Sequence, residues 1–266
     1  MSLSAQVATH LPYLRRYARA LTGSQTSGDA FVRATLEAVL ADKTLQASLS
    51  GGRVPLYRAF SVLWSSTQPA RADEPEKLSM TEHELAVRER LGTITPLNRQ
   101  ALLLTTLEEF SPNEAAEILN LDREEVERLA GEAISEIDQE AATDVLIIED
   151  EPLISMQLEE LVTALGHTIC GTAATRSQAQ DVVANRKPGL VLADIQLADG
   201  SSGIDAVEDI LALTKVPVIF ITAYPERLLT GDRPEPTYLV TKPFQEATVK
   251  TAISQALFFK SSQPLP

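Results

Sequence analysis

The sequence predicts a multidomain protein with an all-helical N-terminal half and a C-terminal half of the α/β class. Its length of 266 residues exceeds what one compact core usually needs, so at least two structural units are expected. Apolar residues recur at helical spacing through the first half of the chain. After Thr143 the pattern changes to short apolar runs that alternate with segments of helical length. Such a change predicts buried parallel strands in a doubly wound sheet.

The helical half is predicted to contain two groups of helices. Residues 1–64 carry three apolar stripes of helical period and form the first group. Residues 65–79 are polar and are expected to be a linker, and residues 80–140 form the second group. The α/β half is expected to extend over residues 144–260.

The second helical group has the spacing of a helix–turn–helix. A first helix is expected to start at Pro96 and to run to about Phe110. Ser111 and Glu114 then have the spacing of a capping box, in which each residue satisfies a free amide of the other. Asp122 is expected to begin the final helix, which carries an apolar stripe.

Polar side chains with complementary chemistry follow the apolar runs of the α/β half. Glu149 and Asp150 follow the first run, and Asp194 follows a later one. Ligands of doubly wound sheets bind outside the carboxyl ends of the strands, so these acids should converge. Three carboxylates in one site require a cation, and ligation by oxygen alone favours Mg²⁺. Thr222 and Lys242 end two further runs, and their hydroxyl and ammonium groups can bind a phosphoryl group.

In order and spacing, these residues resemble the motifs of the receiver domains of two-component response regulators. The motifs are Glu149-Asp150, Asp194, Thr222-Ala223 and Lys242-Pro243-Phe244. The resemblance implies a flavodoxin-like sheet of five parallel strands and a cis peptide between Lys242 and Pro243. It also implies that Asp194 is the phosphoacceptor, that Thr222 is the switch residue and that Lys242 contacts the phosphoryl group. The implied ligands of Mg²⁺ are Asp194, Asp150, Glu149 through a water molecule, and the backbone carbonyl of Gln196.

One position departs from the receiver pattern. The switch aromatic of the family usually lies three residues before the lysine, where this sequence has Leu239, and Tyr238 is one residue earlier. Two alternatives stay open at this point. The acids could simply end strands at a solvated rim, or the domain could keep the receiver fold without being phosphorylated.

The helical half resembles an extracytoplasmic-function sigma factor. Residues 11–23 are similar to the opening of sigma region 2, and residues 96–137 are similar to region 4. The second helix of the helix–turn–helix is acidic, because residues 122–138 contain seven acids and two bases, a balance of −5. Acidic side chains repel the phosphates of nucleic acid, so DNA is not an expected partner. Two generic helical bundles are the alternative interpretation.

A sigma-like module ahead of a C-terminal receiver resembles the sigma-factor-mimic regulators of the general stress response. That resemblance implies partner switching. Once phosphorylated by a histidine kinase or phosphotransfer protein, the sigma-like module sequesters an anti-sigma factor of the NepR type and releases the true sigma factor. The alternative function is that of a DNA-binding response regulator, a transcription factor, and the acidic helix argues against it.

Composition narrows the remaining classes of protein. The chain has a net charge of −14, one cysteine and three histidines. No nucleophile and base pair and no phosphate-binding glycine-rich loop are found, so an enzyme is not predicted. No apolar run approaches the roughly 20 residues that span a bilayer, and no signal peptide is recognised. A single cysteine fits a reducing compartment, so a cytoplasmic protein is expected.

Overall fold

The chain forms two compact units, Met1–Ala130 and Gly131–Pro266. The structure is a computed structural model. It describes residues 3–49, 52–66, 96–137, 141–197, 200, 202–225 and 236–261. Most of the expected linker, and residues 80–95 after it, therefore lie outside the described residues.

The described residues before the α/β half are helical, which confirms the predicted class. No helix among the described residues combines the length and the apolar character needed to cross a membrane. The helices are α1 (Leu3–Thr22), α2 (Gln25–Ala41), α3 (Lys43–Ser48), α4 (Arg53–Ser66), α5 (Leu97–Thr106), α6 (Pro112–Leu119) and α7 (Arg123–Ile137).

Aromatic side chains form the centre of the first unit. Tyr17 of α1 contacts Tyr57 of α4 with ring centroids 5.5 Å apart, and Phe31 of α2 meets Trp64 of α4 edge to face at 4.8 Å. Tyr17, Tyr57 and Trp64 are each buried, which removes a large apolar area from water. This burial holds the first three long helices together, as their predicted apolar stripes require.

Helices α1 and α2 cross so closely that a side chain at Gly28 has no space. A Cβ atom there would lie 2.6 Å from the amide nitrogen of Arg19 and 2.8 Å from the carbonyl carbon of Ala18. Both atoms belong to the backbone, so the two helices would have to separate.

We therefore expect Gly28→Ala to lower the free energy of unfolding by about 1–3 kcal/mol, the usual cost of overpacking. Thermal denaturation would measure the change. Gly131→Ala is the matched control, because a Cβ in that position of α7 meets nothing within 4 Å. Since alanine is the better helix former, the control should be neutral or slightly stabilising. Equal melting temperatures for the two variants would contradict the close crossing.

The connection between α5 and α6 differs from its prediction. Helix α5 ends at Thr106 rather than near Phe110, and Glu109 takes a left-handed conformation with φ of 53°. A helix cannot continue through this conformation, so the chain turns before α6. The predicted capping box is confirmed. The Ser111 side chain accepts from the amide of Glu114, whose carboxylate accepts from the amide of Ser111.

The second unit contains a parallel sheet with the strand order β2-β1-β3-β4-β5, as the doubly wound prediction requires. Buried residues of its strands and helices form the core, and β1 and β3 contribute Leu146, Ile148, Val191 and Ala193 to it. The elements are β1 (Asp144–Ile148), α8 (Pro152–Ala164), β2 (Thr168–Ala173), α9 (Arg176–Asn185), β3 (Leu190–Ala193), α10 (Gly203–Leu213), β4 (Val218–Thr222), β5 (Tyr238–Thr241) and α11 (Glu246–Ser261).

Candidate functional site: an acidic cleft at the carboxyl ends of the strands

Backbone hydrogen bonds of the sheet continue one residue beyond the strands and place the site residues side by side. Ile148 and Ala193 are partners at the last paired position of β1 and β3, so the residues that follow them are neighbours. The amide of Asp194 donates to the carbonyl of Ile148 at 2.8 Å. The amide of Lys242 donates to the carbonyl of Thr222 at 2.8 Å. The positions of these side chains thus follow from the parallel register itself.

Lys242 connects the acids that follow the two central strands. Its ammonium nitrogen lies 2.7 Å from Oδ2 of Asp194 and 2.8 Å from Oε2 of Glu149. Glu151 adds a longer contact at 3.4 Å. The side chains of Lys242 and Asp194 are each 9% exposed and that of Glu149 is 1% exposed, so water screens these ion pairs only weakly.

The second oxygen of Asp194 is held by the backbone. Oδ1 accepts from the amide of Ile195 at 2.6 Å and from the amide of Gln196 at 3.3 Å. The carboxylate is therefore fixed at both ends, by amides on one side and an ammonium on the other. These hydrogen bonds orient the carboxylate, whose oxygens are the atoms that can act as a nucleophile.

Burial and nearby charge have opposite effects on the pKa of Lys242 and on the pKa of Glu149. Burial by itself lowers the pKa of Lys242, but its bonds to Asp194 and Glu149 outweigh burial and raise that pKa above its ordinary value. Burial raises the pKa of Glu149, because desolvation of its carboxylate outweighs the attraction of Lys242. The lysine therefore remains an ammonium ion across the neutral range.

Three acids lie close enough to share a metal ion. Ligand oxygens of Glu149, Asp150 and Asp194 are all within 4.8 Å of one another. Lys242 supplies one positive charge against these three carboxylates, so the cluster has excess negative charge. A set of oxygen donors with this charge fits a hard divalent cation better than it fits zinc or copper, which prefer nitrogen and sulfur.

The acids open into a cleft of about 650 Å³. Asp150, Asp194, Gln196 and Lys242 are among the residues that line it, in agreement with their predicted grouping. Thr222 is fully buried at the end of β4, where its hydroxyl accepts from the amide of Tyr224 at 3.1 Å. Among the described residues, Thr222 makes no hydrogen bond to Asp194.

Sequence reasoning missed several residues of the cleft, and Glu151 and Tyr224 are two of them. Glu151 lines it and contacts Lys242, and Tyr224 lines it with a side chain that is 42% exposed. Each of them lies within two residues of a predicted site residue. The proximity of Glu151 to Asp150, and of Tyr224 to Thr222, was the signal that could have found them.

The structure places Tyr238 and Leu239 on opposite faces of β5. Leu239 belongs to the core cluster that contains residues of α9 and α10. The hydroxyl of Tyr238 donates to the carbonyl of Gln255 in α11 at 3.4 Å, so this ring faces α11. The two buried residues of β5 thus connect the sheet to different helices, as alternation along a strand requires. The Lys242–Pro243 peptide is cis, as the resemblance implies.

The final helix of the helix–turn–helix presents acids whose few basic neighbours are already paired. Arg123 bonds Glu127 at 2.8 Å, and Arg128 bonds Glu125 at 2.6 Å. Both arginines of α7 are therefore neutralised by acids of the same helix. Glu124, Glu132 and Glu136 are also exposed on this helix, which leaves a negative surface that repels phosphate.

Together, the sheet order, the acidic cleft and the lysine at the end of β5 define a response regulator with a receiver domain. The model of the response regulator receiver domain matches residues 145–254. The model of the sigma2 domain of PhyR matches residues 7–61, and the model of the PhyR sigma-like domain matches residues 91–140. The chain belongs to the PhyR family of response regulators.

Relatives of known identity resemble the chain over nearly its whole length. The phyllosphere-induced regulator PhyR of Methylorubrum extorquens is 52% identical, covering 98% of this chain and 97% of its own. The structure of the response regulator PhyR from Brucella abortus is 50% identical in sequence and has a TM-score of 0.83. The match covers 98% of this chain and 96% of the Brucella chain. The structure of the anti-anti-sigma factor PhyR from Bartonella quintana is 50% identical in sequence and has a TM-score of 0.82. The match covers 98% of this chain and 97% of the Bartonella chain. This Bartonella protein has also been crystallised with the anti-sigma factor NepR.

Proposed function

We propose that this chain is an anti-anti-sigma factor controlled by phosphorylation of Asp194. Phosphorylation opens the sigma-like helices to an anti-sigma factor of the NepR type, and capture of that protein releases the true sigma factor for the general stress response. The observation that carries the proposal is the Asp194 carboxylate, fixed by Lys242 and two amides at the edge of an acidic cleft. The family's anti-anti-sigma activity, stated for the Bartonella relative, supports the same function.

In this proposal, the domains are those of the sequence-based division. Residues 1–64 and 80–140 form the sigma-like part, joined by a linker at 65–79, and residues 144–260 form the receiver. The protein acts in the cytoplasm, where a histidine kinase or phosphotransfer protein supplies the phosphoryl group.

Asp194 acts as the phosphoacceptor. One of its carboxylate oxygens attacks phosphorus of the donor, an acyl phosphate forms on Asp194, and the donor side chain leaves with the bonding electron pair. The amides of Ile195 and Gln196 hold the carboxylate in place during attack. Lys242 then neutralises part of the added charge, which is about −2 for a bound phosphoryl group. A positioned cation of this kind is the main catalytic device in phosphoryl transfer.

Mg²⁺ fits the three acids and would supply positive charge to the oxygens of the transferring group. Asp150 and Asp194 would hold the ion directly, Glu149 through a water molecule, and Gln196 through its backbone carbonyl. The burial of Glu149 and its bond to Lys242 make it the least accessible donor of the three acids, which suits an indirect role.

Thr222 acts as the switch. Its hydroxyl lies at the carboxyl end of β4, on the strand next to the one that Asp194 follows, and accepts from the amide of Tyr224. A phosphoryl group on Asp194 offers new acceptor oxygens to this hydroxyl. Movement of Thr222 would carry Ala223 and Tyr224 with it, since both follow directly in the chain and line the cleft. The loop after β4 is thus the first element that phosphorylation reshapes.

The anti-sigma partner is favoured over DNA by the charges of α7. A DNA-binding regulator would need basic side chains on this helix that are available to contact phosphate. Arg123 and Arg128 instead form ion pairs with acids of the same helix. The alternative of a transcription factor acting through promoter contacts has no comparable observation in its favour.

Calorimetric titration of the NepR-type protein of the same organism tests the proposal. We expect binding in Mg²⁺ with a beryllofluoride phosphoryl mimic to be at least about 10-fold tighter than without it, within the usual range of allosteric coupling. Asp194→Asn should remove the dependence on the mimic, whereas Asp181→Asn, an exposed acid of α9, should preserve it.

Equal affinity with and without the mimic would refute the phosphorylation switch. Tight binding to promoter DNA, with no affinity for the anti-sigma protein, would replace the proposal by the transcription-factor alternative.

A further inference from the structure

A buried polar cluster joins three separate segments of the first unit. We call it the Glu108 cluster; it consists of Arg16 of α1, Arg53 and Tyr57 of α4, and Glu108 and Phe110 of the α5–α6 connection. Nε of Arg16 donates to Oε1 of Glu108 at 2.9 Å. The hydroxyl of Tyr57 donates to Oε2 of the same carboxylate at 2.7 Å. Each oxygen of Glu108 therefore has a donor from a different helix.

The backbone of the α5–α6 connection is held by the same cluster. Arg16 donates to the carbonyl of Leu107 at 2.8 Å. Arg53 donates to the carbonyls of Glu108 at 2.9 Å and Glu109 at 3.0 Å. Three consecutive carbonyls beyond the end of α5 thus receive guanidinium donors, which satisfies groups that a helix end leaves without partners.

The ring of Phe110 completes the packing. The guanidinium of Arg53 lies 3.9 Å from the centre of this ring, and Tyr57 meets it edge to face at 4.8 Å. Arg53 and Tyr57 are one turn apart on α4, so both reach the connection from the same face. The connection is therefore held by polar bonds on its backbone and by aromatic contacts on its side chains.

The ion pair of Arg16 with Glu108 and its neighbour Tyr57 are buried, so their geometry is strict. Arg16 is 7% exposed, Glu108 2% and Tyr57 1%. Burial raises the pKa of Tyr57 well above its ordinary value, with the Glu108 charge as the next cause, so its hydroxyl remains a donor. A buried ion pair of this kind contributes little net stability compared with apolar packing, but it penalises any arrangement that separates its members. Such a pair suits a role in fixing position.

The Glu108 cluster fixes the distance between α4 and the helix–turn–helix. A cleft of about 600 Å³ lies between Arg58, the residue after Tyr57 on α4, and the turn between α6 and α7. Glu117, Asn120 and Asp122 line it on the side of that turn. A shift of α6 away from α4 would change the width of this cleft directly.

We propose that Glu108 is a positioning residue for anti-sigma recognition. Its cluster holds α5–α7 at one fixed distance from α1 and α4, so that the two helical groups offer a single preformed surface to the partner. This inference rests on the proposed function and adds to it the device that preorganises the binding surface. Preorganisation raises affinity because the free protein need not be ordered on binding.

Glu108→Gln in the full-length chain tests the proposal. The amide keeps the size of the side chain and can still accept from Tyr57, but Arg16 loses its counter-charge. We expect anti-sigma affinity in Mg²⁺ and beryllofluoride to fall at least about 10-fold, with the response of the receiver to the mimic unchanged. In the double variant Arg16→Met/Glu108→Gln, uncharged side chains replace both members of the buried ion pair, so affinity should recover in part.

Val32→Ala is the matched control for stability alone. Val32 is buried in α2, and none of the hydrogen bonds of the cluster involves it. A comparable loss of melting temperature without a loss of affinity is expected for this variant. If Val32→Ala weakens anti-sigma binding as much as Glu108→Gln does, the cluster has only a structural role and the proposal is overturned.

A distance measurement tests the same inference without any partner. Spin labels on Leu40→Cys of α2 and Glu124→Cys of α7, two exposed positions, would be placed in a Cys170→Ala background. The parent protein should give one narrow distance, and Glu108→Gln should broaden or shift it. An unchanged distribution overturns the positioning role. Absence of anti-sigma binding by the parent in every condition would refute the proposed function instead, while the distances still decide whether Glu108 fixes the helices.

Discussion

Replacing Lys242 by methionine is expected to abolish most of the phosphate-dependent gain in anti-sigma affinity. The ammonium of this lysine lies 2.7 Å from Asp194 and 2.8 Å from Glu149 in a poorly solvated site. A hydrogen bond between charged groups contributes about 1.5–3 kcal/mol, which corresponds to roughly 10–100-fold in an equilibrium constant. Methionine has similar length and no charge, so the phosphorylated Asp194 would lose this stabilisation while the packing of the stem persists.

Titration of the anti-sigma protein with and without beryllofluoride would measure this loss. Lys215→Met is the matched control, because Lys215 is exposed and lies in the connection between α10 and β4. It should retain the full response to the mimic. Lys242→Arg should recover part of it, since the charge is kept but the compact ammonium geometry is not. A full response in Lys242→Met would contradict the role assigned to the lysine.

The charged centre of the acidic cleft could be predicted because Glu149, Asp194 and Lys242 each carry a local signal. Glu149 and Asp194 each follow a short apolar run directly, and Lys242 comes two residues after another such run. Parallel strands bring their carboxyl ends to one edge of a sheet. No long-range information was needed beyond the rule of strand direction. The register that pairs Ile148 with Ala193 then places Glu149 and Asp194 side by side.

The Glu108 cluster could not be predicted in the same way. Arg16 and Glu108 are 92 residues apart, and each occurs in a segment where charged residues are common. An arginine on an amphipathic helix usually lies on its solvated face, so the sequence offers no reason to bury this one. The end of α5 was misplaced for a related reason, because the apolar residues Leu107 and Phe110 continue a helical pattern across a turn.

The departure at Leu239 is explained by the alternation of β5. The sequence showed that an aromatic residue lies one position early, but it could not show which helix each side chain meets. In the structure, that shift of one residue turns Tyr238 toward α11 and leaves Leu239 in the core with α9 and α10. A one-residue shift along a strand always exchanges the two faces, so the aromatic ring has changed partner as well as position.

Replacing Gly203 by alanine is expected to disrupt both the stability of the receiver and its phosphorylation. A Cβ atom at Gly203 would overlap the carbonyl oxygen of Asp194 and lie 2.8 Å from the carbonyl carbon of that residue. The amide of Gly203 also donates to the carbonyl of Ile195 at 3.0 Å, so the start of α10 is bonded to the segment that follows β3 and contains Asp194. The backbone at Asp194 has to move, because no side-chain rotation can relieve the overlap.

We expect Gly203→Ala to lower the free energy of unfolding by about 3 kcal/mol or more, at the upper end of overpacking effects. A displacement of Asp194 by about 1 Å should also slow phosphorylation roughly 100-fold, since attack requires close alignment. Thermal denaturation and phosphorylation by acetyl phosphate in Mg²⁺ would measure the two effects separately.

Two other glycines of the receiver make the test specific. At Gly171 the new Cβ would meet the side chain of Val182 in α9, with the nearest methyl at 2.7 Å, so the backbone of Asp194 is not displaced directly. At Gly200 it would meet nothing within 4 Å, but φ of +77° imposes a backbone strain of about 1 kcal/mol. Phosphorylation should therefore persist in Gly171→Ala and Gly200→Ala and fail in Gly203→Ala. Normal phosphorylation of Gly203→Ala would mean that the segment containing Asp194 and the start of α10 are farther apart than in the structure.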